Sequence, residues 1–325
     1  MSAGRGTVAV TGAGGFLGRA LVPALLDAGY AVRALVRTVP PAASARVTWV
    51  ATGDLAQAAH AGLRDALAGC EALVHLAAQA HRPVDDTPAA RAALQALNVD
   101  AAARLAQAAA EDGVRHIVFA SSVKVHGERS RPGHPLREND PLQPADAYGA
   151  SKVAAEAALA RVARDTGLRV TALRLPLVYG PGAKANFAAL IRAVRRGAPL
   201  PVASIDNRRS LLATGNFTAA VLCLLASDGD GARLTPYLLS DAAAVSTPEL
   251  VCALAAALGV TPRIVAFPVP LLRAAGRLPG IGERVSRLVD SLEVDATAFR
   301  TRFAWAPPAT LAAGLAAAVQ EAPPV

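Results

Sequence analysis

The chain has 325 residues, 53% hydrophobic and 18% charged, which is enough apolar material for a sizeable core and excludes disorder as its overall state. No uninterrupted run of 18 apolar residues and no signal-peptide pattern is read, so a soluble cytoplasmic protein without a membrane partner is expected. Cys70, Cys223, Cys252 and the six histidines are too scattered for a disulfide framework or a metal site, and the +8 charge comes from dispersed arginines, so no nucleic-acid partner is expected.

Short β-branched runs alternate with alanine-rich segments of helical length. Strands are expected at 7–10, 31–36, 47–50, 73–76, 117–119 and 170–173. This alternation predicts an α/β fold, a Rossmann doubly wound parallel sheet with ligands beyond the C-terminal strand ends. Pro23 falls inside the helix expected over 16–28 and predicts a kink or an early break. From about Pro176 the pattern loosens into Pro- and Gly-containing runs. The expected division is a dinucleotide-binding domain over 1–175 with a returning segment at about 210–240. A smaller C-terminal substrate-binding lobe takes 176–209 and 241–325.

TGAGGFLG follows the first strand and opens the first helix. Backbone amides and the positive helix end there suit a pyrophosphate, while the glycines permit the tight turn and the close approach. Gly12, Gly15 and Gly18 fit GxxGxxG, with Phe16 and Leu17 in the first helical turn. At this point the sequence resembles the extended short-chain dehydrogenases/reductases, the NAD-dependent epimerase/dehydratase family. The second strand ends in Val36 and Arg37, where an acid would hold the ribose of NAD. A guanidinium there suits a 2′-phosphate, so NADP(H) is favoured and NAD(H) remains possible. The resemblance implies that Asp54 of GDL, followed by Leu55, touches the adenine amino group. It implies also that Leu76, Ala77 and Ala78 of HLAA lie near the cofactor.

YGASK places Tyr148 and Lys152 four apart, on one face of a helix, where a cation lowers the pKa of a phenol. By the resemblance, Ser122 in ASSVKVHG bonds the reacting sugar oxygen, with Ser121 as the fallback. Asn98 begins a helix in LNVDAAARLAQAA and corresponds to the family's NV position beside the site, its alternative reading being a plain helix-start amide. The implied chemistry is hydride transfer between C4 of a sugar and C4 of nicotinamide. Tyr148 moves the hydroxyl proton, Ser122 orients the oxygen, and Lys152 tunes Tyr148 and grips the ribose.

RLPLVYGPG, KANF from Lys184 to Phe187, NRRSLL and FAWAPP extend the resemblance to nucleotide-sugar enzymes almost end to end. It implies that Asn186 and Arg209 contact the diphosphate of a nucleotide sugar, a UDP-sugar in first place, and Lys124 is grouped with the substrate contacts. Leu177 departs from the family, in which asparagine is common there. Val123 and Lys124 replace the Asp and Glu of 4,6-dehydratases and disfavour dehydration. That leaves a C4 epimerase or a 4-ketoreductase of a UDP-4-keto-6-deoxy-hexosamine in surface polysaccharide synthesis, and Arg37 favours the reductase. A non-catalytic NADP-binding redox sensor and a reductase of apolar ketones are the other readings. The alanine-rich helices 91–112 and 148–166 predict a homodimer.

Overall fold

The computed structural model describes residues 5–40, 44–79, 87–183, 185–227, 231, 233–277 and 282–320, apart from the side chains of 185, 283 and 284. The first half alternates as expected: β1 (Arg5–Thr11), α1 (Phe16–Asp27), β2 (Tyr30–Val36), β3 (Val47–Ala51), α2 (His60–Leu67), β4 (Ala72–His75), α3 (Pro88–Leu94), α4 (Ala101–Glu111), β5 (His116–Ser122), α5 (Ala147–Thr166) and β6 (Arg169–Leu175). The chain continues through β7 (Leu177–Tyr179), α6 (Ala185–Arg195), β8 (Leu211–Ala213), α7 (Thr214–Leu225), β9 (Leu234–Leu238) and α8 (Thr247–Leu258). It closes with α9 (Val269–Ala275), α10 (Gly282–Val289), α11 (Thr297–Phe303) and α12 (Leu311–Gln320).

The main sheet has seven strands in the order β3-β2-β1-β4-β5-β6-β9, and every pairing in it is parallel. The order reverses between β1 and β4, which opens a crevice above their C-terminal ends. Continuous apolar strands such as β4 and β5, buried along their whole length, are what a sheet covered on both faces requires. One core packs α2, α4 and α5 on one face through Leu63, Leu105 and Leu159. The other face carries α1, α7 and α11 through Leu21, Phe217 and Phe299. Each such side chain, when fully buried, stabilises the fold by roughly 1.5–3 kcal/mol. A third core, with Tyr179, Phe187, Leu211, Leu254 and Leu315, joins α6, β7, β8, α8 and α12.

Two local expectations are corrected. Of the kink or early break expected at Pro23, the break does not occur: α1 runs to Asp27 with Pro23 exposed inside it. Asn98 does not begin a helix. It lies within a π-helical segment, Gln95–Asp100, that joins α3 to α4 without interruption. Sequence patterning misses this because one extra residue per turn leaves no compositional trace.

Candidate active site

The crevice is built on glycines. Gly12 has φ +69°, and a Cβ there would stand 2.9 Å from the Ala77 amide nitrogen. A Cβ at Gly18 would lie 2.3 Å from the Gly12 carbonyl oxygen and 2.5 Å from that of Ala13. The turn is closed by the Gly15 amide donating to the Gly12 carbonyl at 2.8 Å. Thr11 Oγ1 accepts from the Leu76 and Ala77 amides, each at 3.2 Å, which locks the loop carrying Leu76, Ala77 and Ala78 beside the glycine turn. Helix α1 starts at Gly15 with no side-chain cap and no acid in its first turn, where Phe16, Leu17 and Gly18 lie.

These residues fit a dinucleotide. Helix α1 has no side-chain cap at Gly15, and a Cβ at Gly14 would meet nothing within 4 Å. Arg37 is exposed just past β2. Asp54 is exposed, but its Oδ1 accepts the Ala56 amide at 3.0 Å, so the carboxylate shapes its own turn and puts Leu55 into the core. Asn98 is buried and fully engaged: Oδ1 accepts the Gln79 amide at 2.9 Å and Nδ2 donates to Ser151 Oγ at 2.9 Å. It therefore ties the loop after β4 to α5, one residue before Lys152.

Helix α5 is started by Asp146, whose Oδ1 accepts the Gly149 amide at 2.6 Å, and ended by Gly167 in the left-handed conformation. Tyr148 is thus in the first turn and Lys152 one turn on. Ser122, at the end of β5, lies near enough to the Tyr148 phenol to lower its pKa, and its Oγ accepts the Lys124 amide at 3.2 Å. Ser121 points the other way, donating to Glu156 Oε1 at 2.5 Å. The alternation of side chains along a strand therefore separates the two serines, and Ser122 is the one beside Tyr148.

Lys152 is 2% exposed; its Nζ donates to the Ala120 carbonyl at 2.7 Å and sits 4.5 Å from the Phe119 ring centre and 5.9 Å from that of Tyr148. Burial pushes its pKa down to about 7, against the pull of Glu156. The expected acidification of Tyr148 is not found in the chain on its own. Burial first, then the Asp146 carboxylate, raise the phenol pKa, and Ser122 only partly opposes them. A half-neutral lysine has little positive field to give. His75 stacks on Phe119 and bonds Thr11 through Nδ1 at 2.7 Å, while its buried Nε2 has no hydrogen-bond partner among the described residues. Burial and the nearby Lys152 hold its pKa at about 3.

Lys124 is held by two carboxylates. Its Nζ contacts Glu128 at 2.6 Å and Asp146 at 2.5 Å, and although burial opposes the ammonium, these carboxylates hold its pKa above the ordinary lysine value. Arg209 donates to the Asp290 carbonyl at 2.8 Å. Its pKa is lowered, chiefly by burial and then by the neighbouring Arg287 guanidinium, while Asp290 and Glu128 oppose the shift. Arg209 thus feels one further guanidinium and two carboxylates in a partly buried place. Sequence reading missed Arg287, because only the fold brings α10 to Arg209. Asn186 is exposed at the second position of α6, and Lys184 lies outside the described residues. Among the described residues no group of three or more His, Cys, Asp or Glu could hold a metal, and no helix is long and apolar enough to cross a membrane.

The reversed strand order, the uncapped glycine turn and the side chains gathered above β4 and β5 define a dinucleotide-binding enzyme of Rossmann architecture. A profile described as the NAD dependent epimerase/dehydratase family matches residues 8–237, and the chain belongs to that family. It is 36% identical over 311 residues to a UDP-glucose 4-epimerase of Vibrio cholerae, covering 95% of this chain and 93% of that protein. It is 31% identical over 283 residues to a ceramide reductase of Caulobacter vibrioides (strain NA1000 / CB15N), covering 84% and 77%. Among solved structures it is similar to MoeE5 in complex with UDP-glucuronic acid and NAD, at 28% identity and a TM-score of 0.76 over 97% of this chain and 98% of that one.

Proposed function

We propose that this enzyme inverts C4 of a nucleotide sugar, a UDP-sugar in first place, as an NAD-dependent 4-epimerase. The observation that carries the reading is the grouping of Ser122, at the end of β5, with Tyr148 and the buried Lys152 one helical turn apart on α5, at the mouth of a glycine cradle that suits a pyrophosphate. The near full-length similarity to a UDP-glucose 4-epimerase supports epimerisation over the 4-ketoreductase that Arg37 had favoured. The dinucleotide, when bound, supplies a hydride acceptor and donor at its nicotinamide ring. Tyr148 Oη would take the proton from the C4 hydroxyl as that carbon is oxidised to the ketone, and would return it to the same oxygen as the carbon is reduced again from its opposite face, so no net oxidation remains. Ser122 Oγ holds the sugar oxygen, and the N–H groups that Lys152 does not give to Ala120 grip the cofactor ribose. Arg209 and Arg287 take the diphosphate, with Asn186 nearby. Lys124 acts through Asp146, as a brace at the start of α5, and not as a substrate contact. The dinucleotide domain comprises 1–175 and about 210–240, and the substrate lobe the remainder.

A second reading, the ketoreductase, rests on Arg37, which stands exposed at the end of β2 with no acid beside it in the sequence. One experiment separates the two. Mass spectrometry identifies the nucleotide that copurifies, and NMR follows UDP-GlcNAc and UDP-GalNAc with no cofactor added. Tightly held NAD and interconversion are expected. NADPH oxidation with a UDP-4-keto-6-deoxy-N-acetylhexosamine, without interconversion, establishes the reductase instead; NADPH binding with neither turnover establishes a sensor. A homodimer through α4 and α5 completes the proposal. It is supported by the groove there, about 690 Å³, lined by Ala103, Ala154, Ala157 and Ala160.

A further inference from the structure

Beneath Ser122 and Lys152 lies a buried polar network that the proposed chemistry does not use. Glu156 follows Lys152 by one turn of α5 and is 5% exposed. At that spacing a carboxylate is the ordinary counter-ion of a helical lysine. Here its oxygens are taken from elsewhere. Ser121 donates to Oε1, and Arg174 donates through Nε to Oε1 at 3.1 Å and through Nη2 to Oε2 at 2.6 Å. Arg174 stands opposite Ser121 in the β5–β6 register. Its Nη1 donates to the Glu138 carbonyl at 2.8 Å and to His126 Nε2 at 3.0 Å. Accepting there requires a neutral His126 with its proton on Nδ1, facing the Pro141 carbonyl at 3.4 Å. Burial and Arg174 hold the His126 pKa below its ordinary value, which agrees.

We propose that Arg174 and Glu156 are positioning residues for Lys152: Arg174 and Ser121 saturate the Glu156 carboxylate, deny it to the lysine, and leave the amine on the Ala120 carbonyl and the Phe119 ring, turned toward Tyr148. The groups that face Lys152 are Tyr148 and Glu156 from its own helix, His75 from β4, and Phe119 and Ala120 from β5; Arg174 of β6 acts through Glu156. A lysine neutralised by its own carboxylate stays an ammonium across the physiological range. One denied that partner changes its charge near neutrality, which suits a group that shares protons with Tyr148; this use rests on the epimerase reading of the pair.

The sequence supplies the test, because Lys124, Lys152 and Lys184 are its only lysines. In full-length protein labelled with ¹³Cε,¹⁵Nζ-lysine, the three signals are assigned with Lys124→Arg and Lys184→Arg and then titrated. Lys152 is expected to titrate at about 7. Glu156→Gln lowers that midpoint by about one pH unit, and Arg174→Met raises it by about one or more. Arg174→Lys keeps the charge but loses the two-pronged grip, and raises it less. Opposite shifts support the proposal. Midpoints that stay put, or move the same way, in variants that merely melt at lower temperature overturn it. If Arg174→Met does not fold, Glu156→Gln and Arg174→Lys still decide by sign. The titration is independent of turnover: opposite shifts in a chain that turns over no nucleotide sugar retain the network and remove the epimerase, whereas turnover with unmoved midpoints does the reverse.

Discussion

Gly18→Ala and Gly14→Ala place the same methyl group four residues apart on the glycine turn, and the structure assigns them different outcomes. At Gly18 the new Cβ would stand 2.3 Å from the Gly12 carbonyl oxygen and 2.5 Å from that of Ala13. Both are backbone atoms, so no side chain can swing aside, and α1 and the turn must part by about 1 Å to reach ordinary contact. Overpacking of this kind costs about 1–3 kcal/mol, a fall of several degrees in melting temperature. The same movement disperses the first-turn amides, and a dinucleotide dissociation constant at least about tenfold weaker is expected, roughly 1.4 kcal/mol. At Gly14 nothing lies within 4 Å, so the fold accepts the methyl group with little change in melting temperature. With open space around that methyl group the affinity for the dinucleotide should also change little, which makes Gly14→Ala the control for Gly18→Ala. Thermal melting by circular dichroism and isothermal titration with NAD measure both quantities. A Gly18→Ala protein with unchanged melting and affinity refutes the cradle, and a Gly14→Ala protein that loses as much as Gly18→Ala refutes the assignment of the loss to the backbone clash.

Tyr148→Phe is expected to lower kcat by about 10²- to 10⁴-fold with little change in melting temperature, checked by steady-state turnover of the nucleotide sugar. Arg209→Ala or Arg287→Ala should raise KM by about tenfold or more and flatten its dependence on salt, with a smaller effect on kcat; equal losses in kcat alone would remove them from the diphosphate site. Acid stability should reveal His75. Its folded pKa of about 3 lies below the ordinary 6.5, so the unfolded chain takes up a proton that the native state refuses. Stability therefore falls as pH drops from about 6.5 to about 3, by on the order of 5 kcal/mol, and is level in this contribution below that. Melting curves of His75→Gln across this range should slope less than those of the unsubstituted chain, and identical slopes would place the effect elsewhere.

The local grammar of the chain was legible from its residues. Apolar runs of strand length, separated by alanine-rich helices, identify β1 to β6, because each buried strand must be apolar along both faces. TGAGGFLG and YGASK announce themselves because a tight turn and a one-turn spacing are properties of neighbouring residues. β9 was not read: Leu234–Leu238 is short and carries Pro236, and it is a strand because β6 offers it an edge. Ser122 was chosen over Ser121 by resemblance alone, and the physical reason, the pleat of β5 against α5, came only with the fold. The closeness of Arg287 to Arg209 and the capture of Glu156 by Arg174 depend on segments far apart in the chain. The proton states of Tyr148, Lys152 and His75 follow from burial, which no local pattern encodes. Short-range backbone geometry is thus written in the sequence, whereas charge state and long-range pairing arise only when packing excludes water and selects each group's neighbours.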